Sequence, residues 1–121
     1  MNMGDPEKSR LRVLFVCALN QWRSPTAEAL YRNDVRLEVR SAGLRANAAR
    51  PLSHADVEWA QIIFVMDGEQ KEWLQERFGS PDVPRIHSLD IPDTLVYMDP
   101  ELQRLLRGGI DPEIELLLRR P

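Results

Sequence analysis

Short apolar runs alternate with amphipathic stretches along most of the chain. Leu11-Arg12-Val13-Leu14-Phe15-Val16 is brief, apolar apart from Arg12, and rich in branched and aromatic residues. That pattern predicts a mostly buried strand. Cys17 follows, then a short loop, then Ser24-Pro25 and Thr26 to Tyr31. A proline in the first turn predicts a helix start, because its missing N–H costs nothing there. Arg36 to Ser41 alternates polar and apolar and predicts a half-exposed strand at a sheet edge, ended by Gly43. Residues 44–52 read as a loop. Ser53 and Asp56 form a capping-box pattern for a helix through Trp59. Ile62 to Met66 is the clearest buried strand, and Asp67-Gly68 turns the chain into a helix over 69–77, with Gly79 and Pro81 as stop signals. Arg85 to Leu89 predicts a shorter strand. Near the end, Asp99-Pro100-Glu101 and Asp111-Pro112-Glu113 each read as a helix start, with Gly108-Gly109 as a stop between them, so two short helices are expected.

Strands and helices thus alternate from one end to the other. That order predicts an α/β fold: an open, mainly parallel four-stranded sheet with helices on both faces. At 121 residues the chain suits one compact domain over residues 11–121, preceded by a flexible tail over residues 1–10. In such sheets ligands bind beyond the carboxyl ends of the strands, and Cys17 stands at such an end.

Charge and cysteine usage narrow the function classes. The net charge is -3, and no basic stripe offers a footprint for nucleic acid. No apolar run approaches the length of a membrane span. The polar start of the chain lacks the pattern of a secretory signal. A single cysteine rules out an intramolecular disulfide and fits a reducing compartment, so a cytoplasmic protein is expected, as a monomer or weak dimer.

The chemistry concentrates in Cys17-Ala18-Leu19-Asn20-Gln21-Trp22-Arg23-Ser24-Pro25. A five-residue loop between a strand and a helix N-terminus can turn several backbone N–H groups inward, and the helix dipole reinforces the resulting anion nest. Arg23 brings a planar fork that grips two phosphate oxygens together. The same positive surroundings favour a thiolate at Cys17, which is the nucleophilic form. The Ser24 hydroxyl can donate to the sulfur, helping both its attack and its later departure. Ala18, Leu19, Asn20, Gln21, Trp22 and Ser24 are therefore candidate phosphate-binding residues, with Cys17 and Arg23 catalytic. Arg23 and the amides supply the positive charge, so neither a metal nor a cofactor is expected. His54 and His87 form no cluster with metal-ligand spacing.

At these residues the sequence resembles the low-molecular-weight protein tyrosine phosphatases, whose signature is V-C-x-G-N-x-C-R-S-P. Ala27-Glu28-Ala29 and Arg40-Ser41-Ala42-Gly43 also look like the family. The similarity covers most of residues 11–120 and is strongest over 13–43. It implies a phosphatase that hydrolyses phosphotyrosine or aryl phosphate monoesters through a phosphocysteine. It also implies that Asn20 holds the loop's shape and bonds to Ser41. Two departures stand out. Leu19 replaces the usual loop glycine. Trp22 replaces a second cysteine that can trap the nucleophile as a disulfide, so that protection is absent here.

Phosphoryl transfer from an aryl ester needs a proton donor for the leaving oxygen, and afterwards a base for water. The resemblance implies an Asp before a Pro, in the loop after the fourth strand. Asp93 follows that strand but lacks the proline. Asp99 has the proline, yet helix capping explains it without catalysis. Asp93 is favoured, with Asp99 as the alternative and Asp90 third. Trp22 and, less directly, Tyr97 are candidates for the rim of the site. Trp59 and Trp73 read as core, and Glu28, Glu58 and Glu72 as solvated charge. The expected substrate is a phosphorylated protein or a small aryl phosphate. Two further readings stand beside the phosphatase. One is a phosphate-binding module without turnover. The other is an arsenate reductase, which the single cysteine disfavours.

Overall fold

The computed structural model describes residues 10–79 and 84–119. Apart from Arg10, the expected tail lies outside them, as does the Pro81 stop signal. Four strands form one sheet: β1 (Leu11–Cys17), β2 (Leu37–Gly43), β3 (Ile62–Val65) and β4 (Arg85–Ser88). All pairings are parallel, in the order β2-β1-β3-β4. The chain therefore passes from β1 to one edge, then crosses back to build the other side. The crevice opens where that direction reverses, beyond the carboxyl ends of β1 and β3. Cys17 lies there, paired in register with Gly43 of the edge strand.

Alternating side chains of the sheet supply two cores. Val13, Phe15 and Cys17 face one side, together with Ile62 and Phe64, and pack against α1 (Arg23–Tyr31) and α4 (Pro100–Leu118). Leu14, Val16, Ile63 and Val65 face the other side, covered by α2 (His54–Trp59) and α3 (Gly68–Phe78). β1 and β3 are buried on both faces, as their nearly unbroken apolar runs require. Phe15 stacks on Phe64 with ring centroids 5.8 Å apart and meets Tyr31 at 5.9 Å, tying β1 to β3 and α1. The Ser53–Asp56 capping box forms as expected. Trp59 and Trp73 pack at the margin of the second core, half-buried under Arg40 and Arg77 respectively.

The end of the chain departs from expectation. It forms one helix of 19 residues that runs through Gly108, Gly109 and Pro112, instead of two short ones. Leu102, Leu106, Ile110 and Ile114 recur every four residues and are all buried, so a single stripe continues across the glycine pair. Pro112 removes one ladder bond and crowds the carbonyl four residues earlier, at a cost of about 3 kcal/mol in an ordinary helix. That earlier residue is Gly108, which has open space around it. Burying four aliphatic side chains, at about 1.5–3 kcal/mol each, outweighs both breakers. Asp111 consequently is no cap; it accepts a hydrogen bond from the Tyr31 hydroxyl.

Candidate active site

The loop from Ala18 to Trp22 is held from outside by its carbonyls. The amides of Leu44, Arg45 and Ala49 donate to the oxygens of Cys17, Ala18 and Leu19 at 2.9, 3.0 and 3.0 Å. Among the described residues, no amide from Ala18 to Trp22 donates to another group. The chain's turn falls at Asn20, with φ of 53°. Asparagine tolerates that left-handed conformation better than most residues. Leu19 has no positive φ, so the Cβ that replaces the usual glycine is accommodated, and its side chain is 36% exposed at the mouth.

Behind the loop lies a small polar network. The Cys17 sulfur and the Ser24 hydroxyl are 2.9 Å apart, and Asn20 Nδ2 donates to the same hydroxyl at 2.9 Å. Cys17, Asn20 and Ser24 are all buried. The Asn20–Ser41 bond implied by the resemblance is not made. Ser41 pairs with Phe15 across the ladder and so faces α1, where its hydroxyl donates to Glu28 at 2.6 Å. Glu28 is thus a half-buried hydrogen-bond acceptor, contrary to its reading as solvated charge.

Arg23 is the first residue of α1 and is 8% exposed. Its Nη1 donates to the Ile91 carbonyl at 2.8 Å, which ties the guanidinium to the loop after β4. That loop is pinned at both ends. The Ile91 amide donates to the Met66 carbonyl at 2.8 Å, and the Met98 amide to Thr26 Oγ1 at 2.9 Å. Asp93 stands between these anchors, exposed, on the wall of a cavity of about 130 Å³ that Cys17, Leu19, Gln21, Trp22 and Arg23 also line. Asp99 does not line it; its carboxylate accepts from the Glu101 amide at 2.8 Å and caps α4. Asp90 accepts from Ser88 instead. Trp22 is 38% exposed at the cavity rim, and Tyr97 is exposed but does not line the cavity. Neither histidine reaches Cys17: His54 meets Phe78 edge-on, and His87 Nδ1 lies 3.1 Å from Glu113.

The four helix starts differ in one respect. Ser53, Asp67 and Asp99 each accept from a backbone amide at the start of α2, α3 and α4. The start of α1 has Trp22 at its N-cap, no side-chain cap bond and no acidic residue in its first turn. Its dipole therefore points an unneutralised positive end at the cavity beside Cys17.

Two supports of the site escaped the sequence reading. A Cβ on Gly43 would collide with the Ala48 side chain and come within 2.9 Å of both the Ala18 oxygen and the Asn20 nitrogen, so the backbone of the 18–22 loop occupies the space a side chain would need. The sequence shows only that a glycine ends this strand; what its missing Cβ makes room for depends on how the strands pair. Asp56 is the second. Burial pulls its carboxyl upward, and the Ser53 amide and hydroxyl together with Arg50 outweigh that, holding it below the usual carboxylate value. Arg50, bonded to Asp56 at 2.9 Å, also donates to the Ser41 carbonyl and fastens the 44–52 loop to β2.

No protein-family model matches the chain, and no curated protein matches it. Solved structures do match. YfkJ from Bacillus subtilis is similar over 98% of both chains, at 22% identity and a TM-score of 0.71. SP-PTP, a low molecular weight protein tyrosine phosphatase from Streptococcus pyogenes, is similar over 88% of this chain and 93% of its own, at 19% identity and a TM-score of 0.73. The YwlE arginine phosphatase from Geobacillus stearothermophilus is similar over 92% and 98%, at 23% identity and a TM-score of 0.64. The chain has the fold that these three structures share, which is the fold the resemblance implies. Among the described residues, no helix is long and apolar enough to cross a membrane.

Proposed function

We propose that the chain is a cysteine-dependent phosphatase acting on phosphorylated protein side chains or small aryl phosphates. One observation carries the reading: Cys17, Arg23 and Asp93 line a single cavity at the uncapped start of α1. The phosphoryl oxygens sit against the free loop amides and the Arg23 guanidinium. The Cys17 thiolate attacks phosphorus, the bond to the leaving oxygen breaks, and Asp93 gives that oxygen its proton. The Asp93 carboxylate then takes a proton from water, which attacks the phosphocysteine. The thiolate leaves, stabilised by the Ser24 hydroxyl 2.9 Å away. A binding module would have no use for a carboxylate facing the phosphate, and arsenate reduction by internal thiol relay needs cysteines that the sequence lacks.

The exposed Trp22 ring at the rim supports phosphotyrosine as substrate, because a flat aromatic leaving group can lie against it. A second reading has its own support. Asp67 and Glu69 line the cavity continuous with the site, and carboxylates there suit a guanidinium, as in N-phosphoarginine; one of the similar structures is an arginine phosphatase. Hydrolysis of p-nitrophenyl phosphate and of phosphotyrosyl and phosphoarginyl peptides, under reducing conditions with a chelator present, tests both. Cys17→Ser should abolish turnover, Asp93→Ala should lower it about 10²–10⁴-fold, and Asp99→Ala should leave it intact. Wild-type protein that binds vanadate but turns over none of these substrates would defeat the proposal.

A further inference from the structure

The cavity at Cys17 does not end at Asp93. It shares Ala18, Arg23 and Asp93 with a neighbouring hollow of about 450 Å³. That hollow shares Leu44, Arg45 and Trp73 with a third, of about 740 Å³, reaching to His54, Arg77 and Phe78. An open trough therefore runs from the phosphate loop, between the 44–52 loop and α3, to the far end of α3. Its capacity greatly exceeds what one phosphorylated side chain fills.

The two ends of the trough differ in charge. Near the site the wall carries Asp67 and Glu69. Farther out, among the described residues, no carboxylate lines it; the floor is Leu44, Leu52, Trp73 and Phe78, and the rim is Arg45, Arg77 and His54. Two of the rim side chains are held against aromatic rings: Arg77 lies 4.6 Å above Trp73, and His54 stands edge-on to Phe78 at 4.9 Å. Among the described residues, neither Arg45 nor Arg77 has an ion-pair partner. A rim whose described charged residues are all basic, over an apolar floor, runs against the composition of a chain with net charge -3.

We infer that this trough holds the polypeptide flank of the phosphorylated residue, and that it selects a flank with an apolar side chain accompanied by acidic ones, several residues from the phosphate. The inference rests on the phosphatase reading and extends it to substrate choice. Continuity with the site identifies the occupant, since a polypeptide whose phosphate sits at Cys17 must leave along the surface. The apolar floor takes an aliphatic or aromatic side chain, and the unpaired cations take carboxylates. A nucleic acid strand fits less well, because its phosphates would pass Asp67 and Glu69.

Peptides carrying whichever phosphorylated residue the wild-type enzyme hydrolyses faster provide the test. In one series, acidic and apolar residues replace Gly/Ser two to five positions away, on either side. Flanks of that type on one side should raise kcat/KM about tenfold over Gly/Ser flanks. Arg77→Glu, a surface change remote from the loop, should cancel the acidic preference while p-nitrophenyl phosphate turnover stays the same. Trp73→Ala, checked for folding by circular dichroism, should remove the apolar preference. A flat peptide profile beside brisk p-nitrophenyl phosphate hydrolysis overturns the trough inference alone. So does a preference untouched by Arg77→Glu, or inhibition by a single-stranded oligonucleotide but not by the unphosphorylated peptide. Absence of turnover of p-nitrophenyl phosphate and of both phosphopeptides in the wild type overturns the phosphatase reading and this inference with it.

Discussion

The starts of α1 and α4 solve the same problem in opposite ways. Each helix begins with amides that lack an intrahelical partner. At α4 the Asp99 carboxylate takes the Glu101 amide and seals the end. At α1 Trp22 contributes no such bond, and the positive end stays open beside Cys17. A sealed start serves only the helix. An open one costs about 1 kcal/mol of helix stability and leaves an unneutralised positive end in exchange. The two are only a few residues apart in space, through the Met98 amide and Thr26, so the contrast reflects side-chain choice and not location.

The contrast can be broken at several points. The largest effect is expected from Gly43→Ala. Its Cβ would push against the Ala18 oxygen and Asn20 nitrogen, and a shift approaching 1 Å in the amides before α1 should cost about 10²-fold in kcat/KM for an aryl phosphate. Trp22→Asp converts the open start into a sealed one. A carboxylate at that helix end is worth up to about 2 kcal/mol, so phosphate affinity by titration should fall roughly tenfold while the thermal midpoint holds or rises. Asp99→Ala opens the sealed start and should lower unfolding free energy by about 1 kcal/mol in urea titrations, with turnover unaffected.

The smallest effect concerns the other end of α1. The Tyr31 hydroxyl donates to Asp111 of α4. Burial, and then the Asp111 carboxylate, push the phenol well above its ordinary value. A raised pKa gives stability that is complete below the unfolded value of about 10 and fades as pH rises through the folded one. Tyr31→Phe should therefore cost about 0.5–1.5 kcal/mol at neutral pH. The gap from wild type, followed by urea denaturation, should narrow only above about pH 10.

The same contrast explains what was legible in the sequence. The loop and α1 obey local rules: an apolar strand, a cysteine, a loop of fixed length, and proline in the first turn. Their geometry was readable for that reason. The Asp93 position followed from strand order for the same reason. At α4 the local signals were correct in kind and lost to packing. Gly108-Gly109 and Asp111-Pro112 are helix breakers, and the Leu102–Leu106–Ile110–Ile114 stripe overrode them because one continuous apolar face matches the sheet. The Ser41–Glu28 bond and the tight fit at Gly43 were unreadable. Both depend on which residues of non-adjacent segments meet across β1 and β2, and register is a property of the assembled sheet.

The carbonyls of Cys17, Ala18 and Leu19 are held by amides that follow β2, and β2 is an edge strand. The loop beside Cys17 is thus fastened to the border of the sheet and not to its centre. Borders open at lower free energy than interiors. In slowly rising urea, catalysis should fail while the helical circular dichroism signal is still intact. Under the phosphatase reading, turnover would then report the attachment of a single strand, ahead of the melting of the molecule as a whole.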